Sequence, residues 1–259
     1  MKFRWYLTAV AFALAWMVGW AFAADLTPFE IAKRSLELDK TPTKVTQYKM
    51  TVTTKKGRKR VYKFTTWDKQ YADGSKKLIR FTEPADNNGT GLMTWEKKGA
   101  DDLQWLYLPS QKKARQLAQA DKSDQFMGSD LFFEDMGTQS AEDFNHTLIS
   151  ETVYNGKQCY LVESSPKPDV NSAYTKTRSL IDVDNFAPYK LELFGKGGKL
   201  IKTIESKKIE QIDGIWTQLY IVVTSQGGGR AKTEINIEQR EYNGEVQDRF
   251  FTKKFLETY

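Results

Sequence analysis

The chain has 259 residues, with 39 Lys and Arg against 33 Asp and Glu, one His, one Cys, 40% hydrophobic and 13% aromatic residues. That aromatic content excludes a disordered chain, and the length is ample for a real hydrophobic core. A lone His and a lone Cys exclude an internal disulfide and argue against the usual zinc sites, a Cys–His nucleophile pair or a His-rich iron site, so no catalytic set, metal or cofactor is expected.

Residues 1–23 read as a secretory signal peptide. Lys2 and Arg4 form a positive start, Trp5 to Trp20 carries no charge, and Ala21-Phe22-Ala23 is a small-residue cleavage site. The competing reading, a membrane anchor, is weaker because the apolar run is short for a span. No Cys stands at the cleavage point, so no lipid tether is expected, and the mature chain should work outside the cytoplasm. Removing Lys2 and Arg4 takes two charges from the formal +6, leaving +4. Export excludes nucleic acid as a partner, while anionic lipid head groups remain open.

Thr27-Pro28 with Glu30 is a helix start, and Phe29, Ile31, Ala32, Leu36 and Leu38 give an apolar stripe at near-helical spacing. The period then changes to two. Tyr48 to Thr53 and Tyr62 to Thr65 alternate on either side of Lys55-Lys56-Gly57-Arg58, which predicts a β-hairpin with a basic tip. Strand-like runs recur at 78–82, 91–95, 103–108, 147–153, 158–163, 178–183, 189–194, 200–205, 216–224 and 233–240, separated by turn clusters such as Asn155-Gly156, Asp213-Gly214 and Gly227-Gly228-Gly229. Residues 110–140 break the alternation and read as an insertion with short helices, in which Ser129 caps one carrying Phe132, Phe133 and Met136. Residues 249–256 predict another short helix. With no linker and no repeat, residues 24–259 are expected to form a single domain.

Tyr48, Met50 and Val52 share one face of their strand. Gly91 to Trp95, Trp105 to Leu108 and Leu219 to Val223 are apolar on both faces, as where both sides of a sheet are covered. The fold class predicted is mainly β: a curved antiparallel half-closed barrel with short helices plugging an apolar cavity. Strand pattern alone fits a packed core as well as a hollow.

Three ordered stretches go beyond pattern: Leu78 to Ala85 with Gly89-Thr90-Gly91-Leu92; Trp105 to Ser110 with Lys113 and Arg115; and Phe126 to Asp130 with Glu134-Asp135-Met136. Together with Phe250-Phe251-Thr252 and Leu256, they resemble the outer-membrane lipoprotein-sorting protein family, the LolA-like periplasmic carriers often found with RND/MMPL-type exporters. The resemblance covers essentially the whole mature chain. It implies a non-enzymatic periplasmic carrier that encloses the acyl chains of a lipid or lipoprotein and moves them from an inner-membrane transporter toward the outer membrane. The alternative it leaves is a lipid-sensing module of a membrane complex. The cavity candidates are Tyr48, Met50, Val52, Tyr62 and Phe64 in the hairpin, Phe81, Leu92, Met93, Trp95, Trp105 and Tyr107 in the next strands, and Phe132, Phe133 and Met136 in the insertion.

The basic tip, Lys55, Lys56, Arg58, Lys59 and Arg60, is the candidate contact for a membrane surface or partner; a solvated edge that blocks strand addition is the plainer reading. Asp182-Val183-Asp184 lacks the rest of a calcium loop and reads as a turn. Glu134 and Asp135 diverge by about 100° on a helix and read as a cap or surface pair rather than an acid pair. His146 has no evident Ser–carboxylate partner set, and Cys159 reads as a small buried hydrophobe.

Overall fold

The computed structural model describes residues 26–97, 99–226 and 230–258. The expected signal peptide and the Gly227-Gly228-Gly229 turn lie outside the described residues. A capping box opens helix α1 (Pro28–Leu36): the Glu30 amide donates to the Thr27 hydroxyl at 3.2 Å and the Thr27 amide donates to the Glu30 carboxylate at 2.8 Å. Ile31 and Ala32 bury its inward face against Val162 and Ile181.

Among the described residues thirteen strands follow. The first group is β1 (Thr43–Thr54), β2 (Lys59–Tyr71), β3 (Gly74–Glu83), β4 (Gly91–Lys97), β5 (Ala100–Leu108) and β6 (Lys113–Gln116). The second is β7 (Phe144–Tyr154), β8 (Lys157–Pro166), β9 (Lys176–Asp182), β10 (Pro188–Phe194), β11 (Leu200–Ile212), β12 (Ile215–Ser225) and β13 (Arg230–Tyr242). All join one antiparallel sheet in the order β6-β5-β4-β3-β2-β1-β13-β12-β11-β10-β9-β8-β7. Each group is a meander, and the last strand returns to pair with the first. Asn155-Gly156 and Asp213-Gly214 turn two of the hairpins with both residues at positive φ (50° and 78°, 51° and 79°), the conformation that matches strand twist.

The sheet is curved and not closed, as expected for a half-closed barrel. β6 and β7 are its two edges, so the chain between them, residues 117–143, has to cross from one edge to the other over the enclosed face. We call this segment the strap. Two sequence expectations are corrected here. Lys113 to Gln116 is a strand, held to β5 in register Leu106 with Arg115, although its two basic side chains concealed the alternation. No α-helix starts at Ser129; its hydroxyl donates to the Phe126 carbonyl (2.6 Å) and accepts from the Leu131 amide (3.1 Å), closing a tight turn, and Glu134–Met136 forms a single 3-10 turn.

The C-terminal segment forms a 3-10 turn (Asp248–Phe251) and helix α2 (Lys253–Glu257). It packs on the face opposite the strap, where Val246, Phe251 and Leu256 meet Leu78, Met93, Trp105 and Tyr107. Buried Arg80 fastens it by donating to the carbonyls of Leu256 (3.0 Å), Phe255 (3.2 Å) and Gly89 (2.7 Å). β4 and β5 are therefore apolar on both faces because the strap covers one and this segment the other.

Candidate functional site

Period-two alternation sends Tyr48 and Met50 of β1, Phe64 of β2 and Ile79 of β3 to the enclosed face, and Ile204, Ile221, Val223 and Ile235 meet them from β11 to β13. Phe126, Leu131 and Met136 of the strap cover this wall, and Ala32 and Leu36 of α1 close the side near β8 and β9. Between them lies a hollow of about 440 Å³, within the range of sites that take a small organic ligand.

Of the residues singled out from the sequence, Tyr48, Met50, Phe64 and Met136 line the hollow. Val52, Tyr62, Phe81, Leu92 and Phe133 belong to the same apolar cluster but pack as its solid part, with Tyr62 and Phe81 edge to face at 5.9 Å. Met93, Trp95, Trp105 and Tyr107 lie on the opposite face against the C-terminal segment and do not reach the hollow. A strand apolar on both faces shows no period, so the sequence could not assign them. Ile79, Ile204, Ile221, Val223, Ile235 and Leu131 line the hollow without having been singled out. Alternation within the predicted runs 78–82, 200–205, 216–224 and 233–240 is the signal that could have found most of them, interrupted in β11 by Lys202, a charged residue on the inward side of the run.

Phe132 has another task. Its ring stacks on Tyr174 (5.8 Å, 10°) with the Lys202 ammonium 3.7 Å from its centroid. Lys202, with no solvent exposure, donates to Asp135 at 2.6 Å. The same carboxylate accepts the Tyr174 hydroxyl and the Phe132 amide, both at 2.7 Å. Burial pushes the Lys202 ammonium down, against the opposing pull of Asp135. Burial and the Asp135 charge push the Tyr174 hydroxyl up. Glu134 turns away to Ser172 and to the Ala173 amide (2.8 Å). Glu134 and Asp135 thus do diverge, but a surface role for Asp135 is corrected to a buried clasp. A second link lies at Asp130, whose amide donates to the Thr233 hydroxyl (3.0 Å) and whose carboxylate accepts from it (2.7 Å).

At one end the wall is charged. Lys44, Asp68 and Lys77 stand side by side in register across β1, β2 and β3. Two residues further along come Thr46 beside Thr66, then Tyr48 beside Phe64. Arg240, 5% exposed, donates to Asp39 (2.8 Å), Thr46 (3.0 Å) and the Tyr48 hydroxyl (2.9 Å). Lys44 shares the same Asp39 oxygen at 3.0 Å. Burial alone would raise the Asp39 carboxyl, but the Lys44 and Arg240 charges outweigh it and hold the group below its ordinary value. Lys77 is 3.6 Å from Asp68 and donates to the Met136 carbonyl of the strap at 3.3 Å. Burial would lower its ammonium, yet Asp68, Glu96, Tyr48 and Asp39 keep it raised and therefore charged.

His146 also lines the hollow. Its Nδ1 lies 2.7 Å from the Ser164 hydroxyl and its Nε2 2.9 Å from the Ala141 carbonyl. It does have a serine neighbour, but the second nitrogen faces a main-chain carbonyl where a triad needs a carboxylate. Asp182 makes the turn expected of it, accepting from the amides of Asp184 (2.9 Å) and Asn185 (3.1 Å). Cys159 is buried, and burial pushes its thiol up. Lys55, Lys56, Arg58 and Lys59 are exposed at the β1–β2 tip. Arg60, also exposed, is held aside by Asp86 (2.5 Å) and Asn87 (2.7 Å).

A family model described as "Uncharacterized protein" matches residues 73–258. A DUF1329 family protein from Desulfovibrio piger shares 26% identity and superimposes with a TM-score of 0.84, over 88% of this chain and 97% of that one. A protein domain named for outer membrane lipoprotein sorting, from Vibrio parahaemolyticus, gives 26% identity and a TM-score of 0.82 over the same shares. A LolA superfamily protein from Nitrosomonas europaea has the same fold at 18% identity, with a TM-score of 0.73 over 89% of this chain and 99% of that one. No curated protein matches the chain significantly.

Proposed function

The chain belongs to the LolA-like family of outer-membrane lipoprotein-sorting proteins, and from that membership we propose that it is a periplasmic carrier whose hollow shelters the acyl chains of a lipid or lipoprotein. The observation that carries this reading is the 440 Å³ hollow walled by Ile, Met and Phe side chains and roofed by the strap. Empty apolar space costs roughly 24 cal/mol per Å³ where it is created by mutation, so a hollow of this size is best explained by an occupant. Each buried methylene contributes about 0.8 kcal/mol, so an acyl chain supplies affinity without covalent chemistry, and the protein acts as a binder rather than an enzyme. Residues 24–259 are the carrier domain in this reading. The donor is an inner-membrane exporter of the RND/MMPL type and the acceptor the outer membrane.

The exposed basic tip suits transient contact with an anionic membrane surface. Among the described residues no helix is long and apolar enough to cross a membrane.

The test is a two-step assay. A fluorescent acyl probe should bind the purified protein and be displaced by unlabelled lipid, and the protein should then speed transfer of a labelled lipid between two vesicle populations. Binding without transfer would instead mark a sensor, and absence of binding would end the proposal.

A further inference from the structure

The hollow is amphipathic along its length, and the charged end has an uneven balance. Three cations line it, Lys44, Lys77 and Arg240, against Asp39 and Asp68. Asp135, the remaining lining carboxylate, is engaged by fully buried Lys202 at 2.6 Å. Arg240 is engaged through four hydrogen bonds, to Asp39, Thr46, Tyr48 and Tyr242. Lys44 has half of a carboxylate oxygen already shared with Arg240, and Lys77 has a long 3.6 Å contact to Asp68 beside its 3.3 Å hydrogen bond to the neutral Met136 carbonyl. Charges drawn out of water are costly unless fully paired, and both lysine side chains are four-fifths or more buried.

Lys44 and Lys77 sit two strands apart in one row, on backbones about 10 Å from each other. Asp68 stands between them in that row, so a group that both side chains reach lies over this carboxylate, on the hollow side. Tyr48 accepts from Arg240, which leaves its own hydroxyl proton to donate. Two and four residues along the same faces, the wall becomes Thr46 and Thr66, then Tyr48 and Phe64.

We infer that the hollow is a site for an anionic amphiphile, with a phosphate or carboxylate head between Lys44 and Lys77 and a single chain running toward Phe64, Ile221 and Val223. This rests on reading the hollow as an acyl-chain site and adds the charge of the ligand to it.

The test compares ligands of one chain length by calorimetry below their critical micelle concentrations: palmitate and palmitoyl lysophosphatidic acid, neutral monopalmitoylglycerol, cationic palmitoylcholine, and inorganic phosphate alone. The anionic amphiphiles should bind about tenfold more tightly than the neutral one, the worth of one charge-assisted hydrogen bond. The Lys44→Gln/Lys77→Gln variant should erase that preference while holding the neutral ligand. Lys44→Arg/Lys77→Arg should keep the preference, and it carries the test if the glutamine variant does not fold. Equal affinity for anionic and neutral chains in the wild type, a preference that survives in the glutamine variant, or tight binding of inorganic phosphate alone would overturn the inference while leaving the acyl-chain reading in place. If no amphiphile binds, the acyl-chain reading falls and takes this one with it.

Discussion

Lys202 and Asp135 form an ion pair between β11 and the strap in which both charges are almost fully withdrawn from water, with side-chain exposures of 0% and 7%. Breaking such a pair leaves an uncompensated charge and costs about 3–5 kcal/mol, whereas replacing both partners by apolar groups is often near neutral. Asp135→Asn and Lys202→Met should therefore each lower unfolding free energy by about 3–5 kcal/mol in urea titrations. The double variant Lys202→Met/Asp135→Leu should lose less than the sum of the singles, and equal additive losses would show that the clasp is not a coupled unit. A second residue sets a pH dependence. Burial, with the Glu96 charge, pushes the Asp102 carboxyl from 3.8 up to about 7. The folded state then binds more protons than the unfolded one between those values, so this group makes stability fall as pH rises from about 4 to about 7. Melting temperatures of Asp102→Asn against wild type across that window should show a flatter profile in the variant, and parallel profiles would contradict the assignment.

The strap is the element on which the hollow depends, and it is held by apolar side chains and by polar links that include Asp135 to Lys202, Asp130 to Thr233, Glu134 to the Ala173 amide and Lys77 to the Met136 carbonyl. Leu131 of the strap is 4% exposed and lines the hollow. Leu131→Ala should cost about 2–5 kcal/mol. A bound acyl chain that fills the added space should return part of that loss, so the ligand-induced rise in melting temperature should be larger in the variant than in wild type. An equal rise would place the bound chain away from Leu131. Much of the sheet was legible from the sequence, because alternation and Gly-containing turns are local signals; thirteen strands lengthen but do not displace the predicted runs, with Lys113 to Gln116 the addition. The site was less legible. Residues 110–140 were read as an insertion, but the partners that hold it, Lys202 and Thr233, lie 67 and 103 residues from Asp135 and Asp130. Only tertiary pairing brings such groups together, and no periodicity encodes it. Met93, Trp95, Trp105 and Tyr107 face away from the hollow for a reason the local pattern does not carry: the C-terminal segment that covers them is distant in sequence, and Trp95 donates to the Phe251 carbonyl 156 positions away at 3.1 Å.

At the scale of the whole molecule, an open sheet whose two edges are joined by a strap leaves a hollow at its centre and a basic hairpin at its rim. The four exposed charges Lys55, Lys56, Arg58 and Lys59 should each contribute about 1 kcal/mol near an anionic surface. Replacing all four by Gln should sharply reduce flotation with vesicles rich in anionic lipid, and the residual binding should depend less on salt; unchanged flotation would leave the tip as a solvated hairpin end. The central claim is that the hollow holds an acyl chain, and native mass spectrometry of the protein exported and purified without detergent tests it most directly. The account predicts a one-to-one adduct that dissociates as a lipid and is lost when Ile221 or Val223, at the floor of the hollow, is replaced by a bulkier Trp. A homogeneous apo mass, with no adduct formed on adding lipid, would contradict it.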